Sequence, residues 1–143
     1  MSGNLRITSA VMDATLLEMP WHLPLDEWPD DIVVTLPKGI SRHLVRFAHL
    51  SGRVVALKET SDEMARGEYD MLRRLQRLQV PCVEPLAVVA GLVADDGEPL
   101  ETILATRHLK FSMPYRALYS GSLKVATAQR LVDALALLLV RLH

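Results

Sequence analysis

Two ionisable residues stand where apolar ones are expected. Lys58 lies near the end of Arg53-Val54-Val55-Ala56-Leu57-Lys58-Glu59, a run whose β-branched and apolar content marks a strand. Further on, Glu68 falls inside a helical stripe of Met64, Met71, Leu72, Leu75 and Leu78, four residues from both Met64 and Leu72. A carboxylate buried in such a stripe needs a cation. Lys58 is the expected partner, and the pair can serve in either of two ways, tying strand to helix or gripping a phosphate.

Other chemistry finds little material. Cys82 is the single cysteine, so neither an intrachain disulfide nor a thiolate metal site can form, and it reads as a small core or near-core residue. His22, His43, His49, His108 and His143 lack metal-ligand spacing, and neither serine nor cysteine sits in a nucleophile motif. The acid pairs Asp30-Asp31 and Asp95-Asp96 lie at turn sequences and read as solvated.

The elements that must position Lys58 and Glu68 follow from hydrophobic period and turn chemistry. Ile32 to Leu36, Arg42 to Leu50 and Arg53 to Glu59 read as an antiparallel meander, turned at Pro37-Lys38-Gly39 and Ser51-Gly52. Alternation in the third strand puts Val54, Ala56 and Lys58 on one face and Val55 and Leu57 on the other. Thr60-Ser61-Asp62-Glu63 reads as a capping box, with Thr60 as cap and Glu63 reaching back, which leaves Glu68 for Lys58. Val83 to Val93 and Leu100 to Leu109 then form a hairpin around Asp96-Gly97. The expected class is α+β, a five-stranded antiparallel sheet with one helix inserted between the third and fourth strands.

Residues 1–30 form a Trp/Pro-rich lead-in in which Pro20, Pro24 and Pro29 exclude a regular helix. Trp21 and Trp28 either stack on a ligand or, the favoured reading, pin this arm to the domain. A short helix from Pro114 to Leu118 precedes a long one from Thr127 to Leu142, which is apolar nearly all round. Such a helix belongs in the middle of something, so self-association or contact with further protein through residues 127–142 is expected.

With 143 residues, half of them apolar, one globular unit is expected. The 16 basic and 17 acidic residues nearly cancel, which gives no field to gather nucleic acid or acidic lipid. Neither a signal peptide nor a run of roughly 20 apolar residues stands out, so no membrane span and a cytoplasmic setting are expected.

From Asp31 to His143 the chain resembles the small lobe of the protein-kinase-like superfamily, its hinge, and the first long helix of an incomplete large lobe. Val55-Ala56-Leu57-Lys58 is similar to the strand motif whose lysine contacts ATP phosphates, and Glu68 matches the helix glutamate paired with it. Leu104-Ala105-Thr106-Arg107-His108-Leu109 resembles the fifth strand and hinge. A closer resemblance is to bacterial kinase-like proteins labelled lipopolysaccharide kinases, a family with a domain of unknown function. It is carried by Pro20-Trp21, Trp28-Pro29, Leu36-Pro37-Lys38-Gly39-Ile40-Ser41-Arg42-His43, Thr106-Arg107 and Pro114-Tyr115-Arg116.

The resemblance implies a kinase-like small lobe over residues 31–110, with hinge and large-lobe start over 111–143. It implies ATP as cofactor, with Mg²⁺ in a complete parent, held by Lys58, Glu68, Ala56, Gly39, Ser41, Thr106, Arg107 and Leu109. The phosphate-covering loop has Gly39 alone where protein kinases use three glycines, and Ser41, Arg42 and His43 are the side chains available there. The family's catalytic aspartate, its asparagine and its metal-binding aspartate would follow His143. The expectation is therefore a transferase-type nucleotide-binding lobe that does not turn over as this chain; a non-catalytic or pseudokinase module pairing through its last helix is the alternative.

Overall fold

Alternating residues of the strand that carries Lys58 build two layers on opposite faces of one sheet. The computed structural model describes residues 4–35, 42–110 and 115–143. Among these the chain is α+β. Its strands are β1 (Arg6–Thr8), β2 (Val33–Val34), β3 (Val45–Leu50), β4 (Arg53–Thr60), β5 (Pro85–Ala90) and β6 (Thr102–Arg107). Its helices are α1 (Asp62–Arg77), α2 (Tyr115–Tyr119) and α3 (Val125–Leu142). None is long and apolar enough to cross a membrane.

All strands join one antiparallel sheet in the order β1-β5-β6-β4-β3-β2. The sequence predicts five strands and the sheet has six. The additional one, β1, comes from the lead-in, and its Ile7 pairs with Val89 at the edge. Gly91 makes this possible: at φ +70° it needs no side chain, and a Cβ there would overlap the Asn4 carbonyl. The β3–β4 hairpin turns through Ser51 and Gly52, both at positive φ as a tight hairpin requires.

On one face, Val55 and Leu57 of β4 lie in a core with Ala48, Leu50, Val89, Ile103 and Ala105. The lead-in closes this core with Leu16, Trp21, Leu25 and Trp28. The two indoles meet edge to face at 5.2 Å, and Trp28 Nε1 donates to the Leu23 carbonyl at 3.2 Å while Trp21 Nε1 donates to that of Leu16. They are anchors, each with an apolar body buried and its one polar atom satisfied.

On the other face, α1 lays Ala65 and Tyr69 on Val88 and Leu104. Of the expected stripe, Leu72 and Leu75 are partly buried, while Met64, Met71 and Leu78 face outward, each of the three more than half exposed. Both lines of the helix are apolar enough to read as an inner face, and the small Ala65 is the one that lets the helix approach the strands closely. The cap also differs from the expectation. Ser61, not Thr60, caps α1, its Oγ accepting from Met64 N at 3.3 Å, while Glu63 is exposed. Thr60 is taken by the ladder, paired with Thr102 and buried, so the strand runs one residue further than its apolar pattern. At the far end Gln79 adopts φ 55° and donates to Gln76 O, while Val80 donates to Leu75 O. This left-handed stop satisfies two end carbonyls and buries Val80.

Beyond β6 the helices leave the sheet. The long helix begins at Val125, two residues before the expected start, and none of its residues is buried. Pro114 lies outside the described residues.

Glu59, next to Lys58 on the opposite face, accepts a hydrogen bond from Leu25 N at 3.1 Å and so ties the lead-in to the sheet. Burial raises its carboxyl above the usual range, the Leu25 bond acting the other way and Asp26 and Glu101 adding to the rise. A raised folded-state pKa favours the folded form where the group is protonated, and that contribution is lost as pH rises through the folded value. Glu59→Gln keeps the acceptor without the charge. Its melting temperature should exceed that of the parent at pH 7, with the gain shrinking toward pH 4 in a calorimetric pH series.

Candidate functional site

β4 and α1 together place the lysine and the glutamate. The strand pleat aims Lys58 at the face that α1 covers, and the register Lys58–Leu104–Val88 runs across β4, β6 and β5 beneath the helix. Ala65 and Tyr69 hold α1 on that row, so Glu68, adjoining Tyr69, leans over the near edge toward β4. Lys58 Nζ meets Glu68 Oε2 in a direct ion pair. The pairing expected from sequence is thus formed.

Its environment differs from the premise that led to it. The Lys58 side chain is 26% exposed and that of Glu68 41%, so the pair sits at the rim of the helix–sheet contact, within reach of water. Burial does not force the two charges together. An exposed pair of this type contributes about 0–1 kcal/mol, because solvent screens it and two long side chains lose freedom.

Of the remaining expected residues, Ala56 and Thr106 share this face. Ala56 pairs with Thr106 on one side and Phe47 on the other, a row two residues from Lys58 and about 7 Å along the strand. Arg107 sends its guanidinium to Glu84 at 3.3 Å, away from this row. Leu109 is half exposed. Gly39 and Ser41 lie outside the described residues; Arg42 and His43 precede β3.

The backbone at the end of β6 and just beyond it is partly committed. Arg107 N donates to Glu84 O at 2.9 Å and His108 N to Val54 O at 3.0 Å. Among the described residues this leaves Leu109 as the one of the three with an uncommitted amide. Sequence reasoning missed two side chains. Phe47 is buried on the lysine's face, and the His108 ring meets it edge to face at 5.2 Å. Following the alternation from Ala56 across to its partner strand would have found Phe47; the path of the chain just past β6, which carries His108 there, has no such signal.

This face therefore carries a lysine held by a carboxylate, a small residue beside it and a buried aromatic ring beyond. The chemistry suits an anionic head and a flat body. Among the described residues no group of three or more His, Cys, Asp or Glu comes together. A cavity of about 310 Å³ opens elsewhere, beneath the lead-in, between Asp13, Arg53, Arg73 and Leu86. There Asp13 accepts from Thr15 and Ser51 and faces Arg53, interactions that hold its carboxyl below the usual range.

Comparison with protein-family models, curated proteins and solved structures returned no match.

A double-mutant cycle on Lys58→Met and Glu68→Gln, read by denaturant unfolding, should give a coupling of no more than about 1 kcal/mol. A coupling of about 3 kcal/mol or more would instead mark a desolvated structural pair.

Proposed function

We propose that this chain is the nucleotide-binding small lobe of a kinase-like phosphotransferase, with Lys58 as the phosphate contact and Glu68 as the residue that positions it. The observation that carries the reading is the Lys58–Glu68 pair, formed at an accessible rim where its stability yield is small. Order of elements supports it as well. The antiparallel neighbours β2-β3-β4-β6-β5, with α1 between β4 and β5 in sequence, agree with the small-lobe arrangement that the resemblance implies.

Each residue then has a physical task. Lys58 offers a cation to an anionic oxygen, Glu68 limits its excursions, and Ala56 leaves room on the sheet for a flat ring. Thr106 flanks that floor and Leu109 offers backbone polar groups at its far end. ATP, when bound, would bring the transferable phosphoryl group, and Mg²⁺ would offset its charge. The part assigned to this chain is binding and orientation.

Mg-ATP or ADP at about one hundred times its Kd should stabilise the protein by about 2.7 kcal/mol, raising Tm by roughly 5–10 °C. Lys58→Ala should remove most of that shift. Equal melting temperatures with and without nucleotide count against the reading.

A second reading, from a different class, is favoured by α3. Val132, Leu135, Leu137, Leu139, Val140 and Leu142 are all exposed on a helix none of whose residues is fully buried. In that reading the chain is a non-catalytic module pairing through this helix, since an apolar surface of this extent is seldom left to water. Sedimentation should show concentration-dependent association that Leu135→Glu with Leu139→Glu abolishes. A monodisperse monomer across the concentration range counts against it.

A further inference from the structure

The Phe47–His108 contact lies on the face that the nucleotide reading uses, and that reading does not account for it. Phe47 pairs with Ala56, and residues paired across an antiparallel ladder share a face, so its ring stands on the side of Lys58. It is 8% exposed yet belongs to neither the lead-in core nor the cluster under α1. Over it lies the imidazole of His108, 5.2 Å between centroids with the planes at 68°. The His108 backbone is fixed by its bond to Val54 O, so the ring's position is a consequence of how the hinge docks on β4.

Resting on the proposed nucleotide site, we infer that His108 is a gate: its ring occupies the place of the nucleobase against Phe47, and a base enters only when the imidazole swings aside. Three observations converge. First, the distance suits a nucleotide, because the Phe47–Ala56 row lies about 7 Å along β4 from Lys58, as a base should from a phosphate-holding lysine. Second, the imidazole is itself a flat heteroaromatic ring in T-shaped contact with the phenyl ring, the interaction that a base would replace. Third, the amides of Arg107 and His108 are spent on Glu84 O and Val54 O, so of these three residues Leu109 is the one with an amide left for a base, next in sequence to His108.

Opening is a side-chain rotation about His108, with the Val54 bond and the sheet left intact. The closed form is then a competitor within the protein itself. It lowers apparent affinity by the fraction of molecules in which the ring is out of the way. Occupancy of the base end is thereby separated from occupancy of the phosphate end, which the gate does not cover.

That separation supplies the test. Binding of ATP and of inorganic tripolyphosphate would be measured calorimetrically on the full chain, its His108→Ala and Lys58→Ala variants, and the double variant. His108→Ala should tighten ATP about three- to ten-fold, the scale of one aromatic edge contact, and leave tripolyphosphate unchanged. Lys58→Ala should weaken both. If His108→Ala weakens ATP binding or leaves it unchanged while Lys58→Ala still weakens both ligands, the gate is wrong and the nucleotide site stands. If tripolyphosphate tightens as much as ATP, His108 acts on the phosphate end and the gate is likewise wrong. If neither ligand binds any form, the nucleotide reading fails and the gate with it. Should His108→Ala not fold, His108→Ser, which keeps the backbone bond to Val54, replaces it.

Discussion

The pleat of β4 governs the molecule. Val55, Leu57 and Glu59 face the lead-in layer and Ala56 and Lys58 face the helix layer, so one eight-residue strand carries both the core and the candidate site. Its two ladders, to β3 and β6, keep that division from slipping, because a shift of one residue would send Lys58 into the core and Leu57 into the site. Everything else is arranged by which face it covers. The lead-in closes one side with Trp21 and Trp28; α1 closes part of the other and leaves the rest as a shallow face.

The division explains why charge sits where it does. Lys58 and Glu68 meet at the boundary between what α1 covers and what it leaves open, and there a pair is neither desolvated enough to be costly nor free enough to be idle. Glu59 on the reverse side has a different duty, accepting from Leu25 at the buried start of a short turn. Adjacent residues of one strand thus carry opposite charges into separate layers. Changes to one act on the neighbour through the strand rather than through direct contact.

Much of this was legible from the residues themselves. Period-two alternation gave the correct faces of β4, and tight-turn residues gave the β3–β4 and β5–β6 hairpins, because these depend on short-range sterics. The partnership of Lys58 and Glu68 was found by a premise of burial that the structure does not share; the spacing carried it, not the environment. Other features escaped. The sixth strand depended on where the lead-in lands, a long-range event with Gly91 as its only local trace. The inner line of α1 was misread because Met64, Met71 and Leu78 outweigh Ala65 and Tyr69 in hydrophobicity, whereas close approach favours the small residue. The meeting of Phe47 and His108 joins residues far apart in sequence and depends on the chain after β6 bonding to Val54, which neither residue's neighbours announce.

Ser61 acts as a clutch between strand and helix. Because each residue advances an α-helix by 100°, the point at which α1 starts fixes the direction in which every later side chain leaves it. Ser61 sets that point by holding the amide of Met64, and the left-handed stop at Gln79 holds the other end. One residue gained or lost between Thr60 and Glu68 would leave fold and composition nearly intact, yet turn the carboxylate a quarter of the way round the helix. The site is therefore keyed to the angular phase of α1 as much as to the identity of its residues.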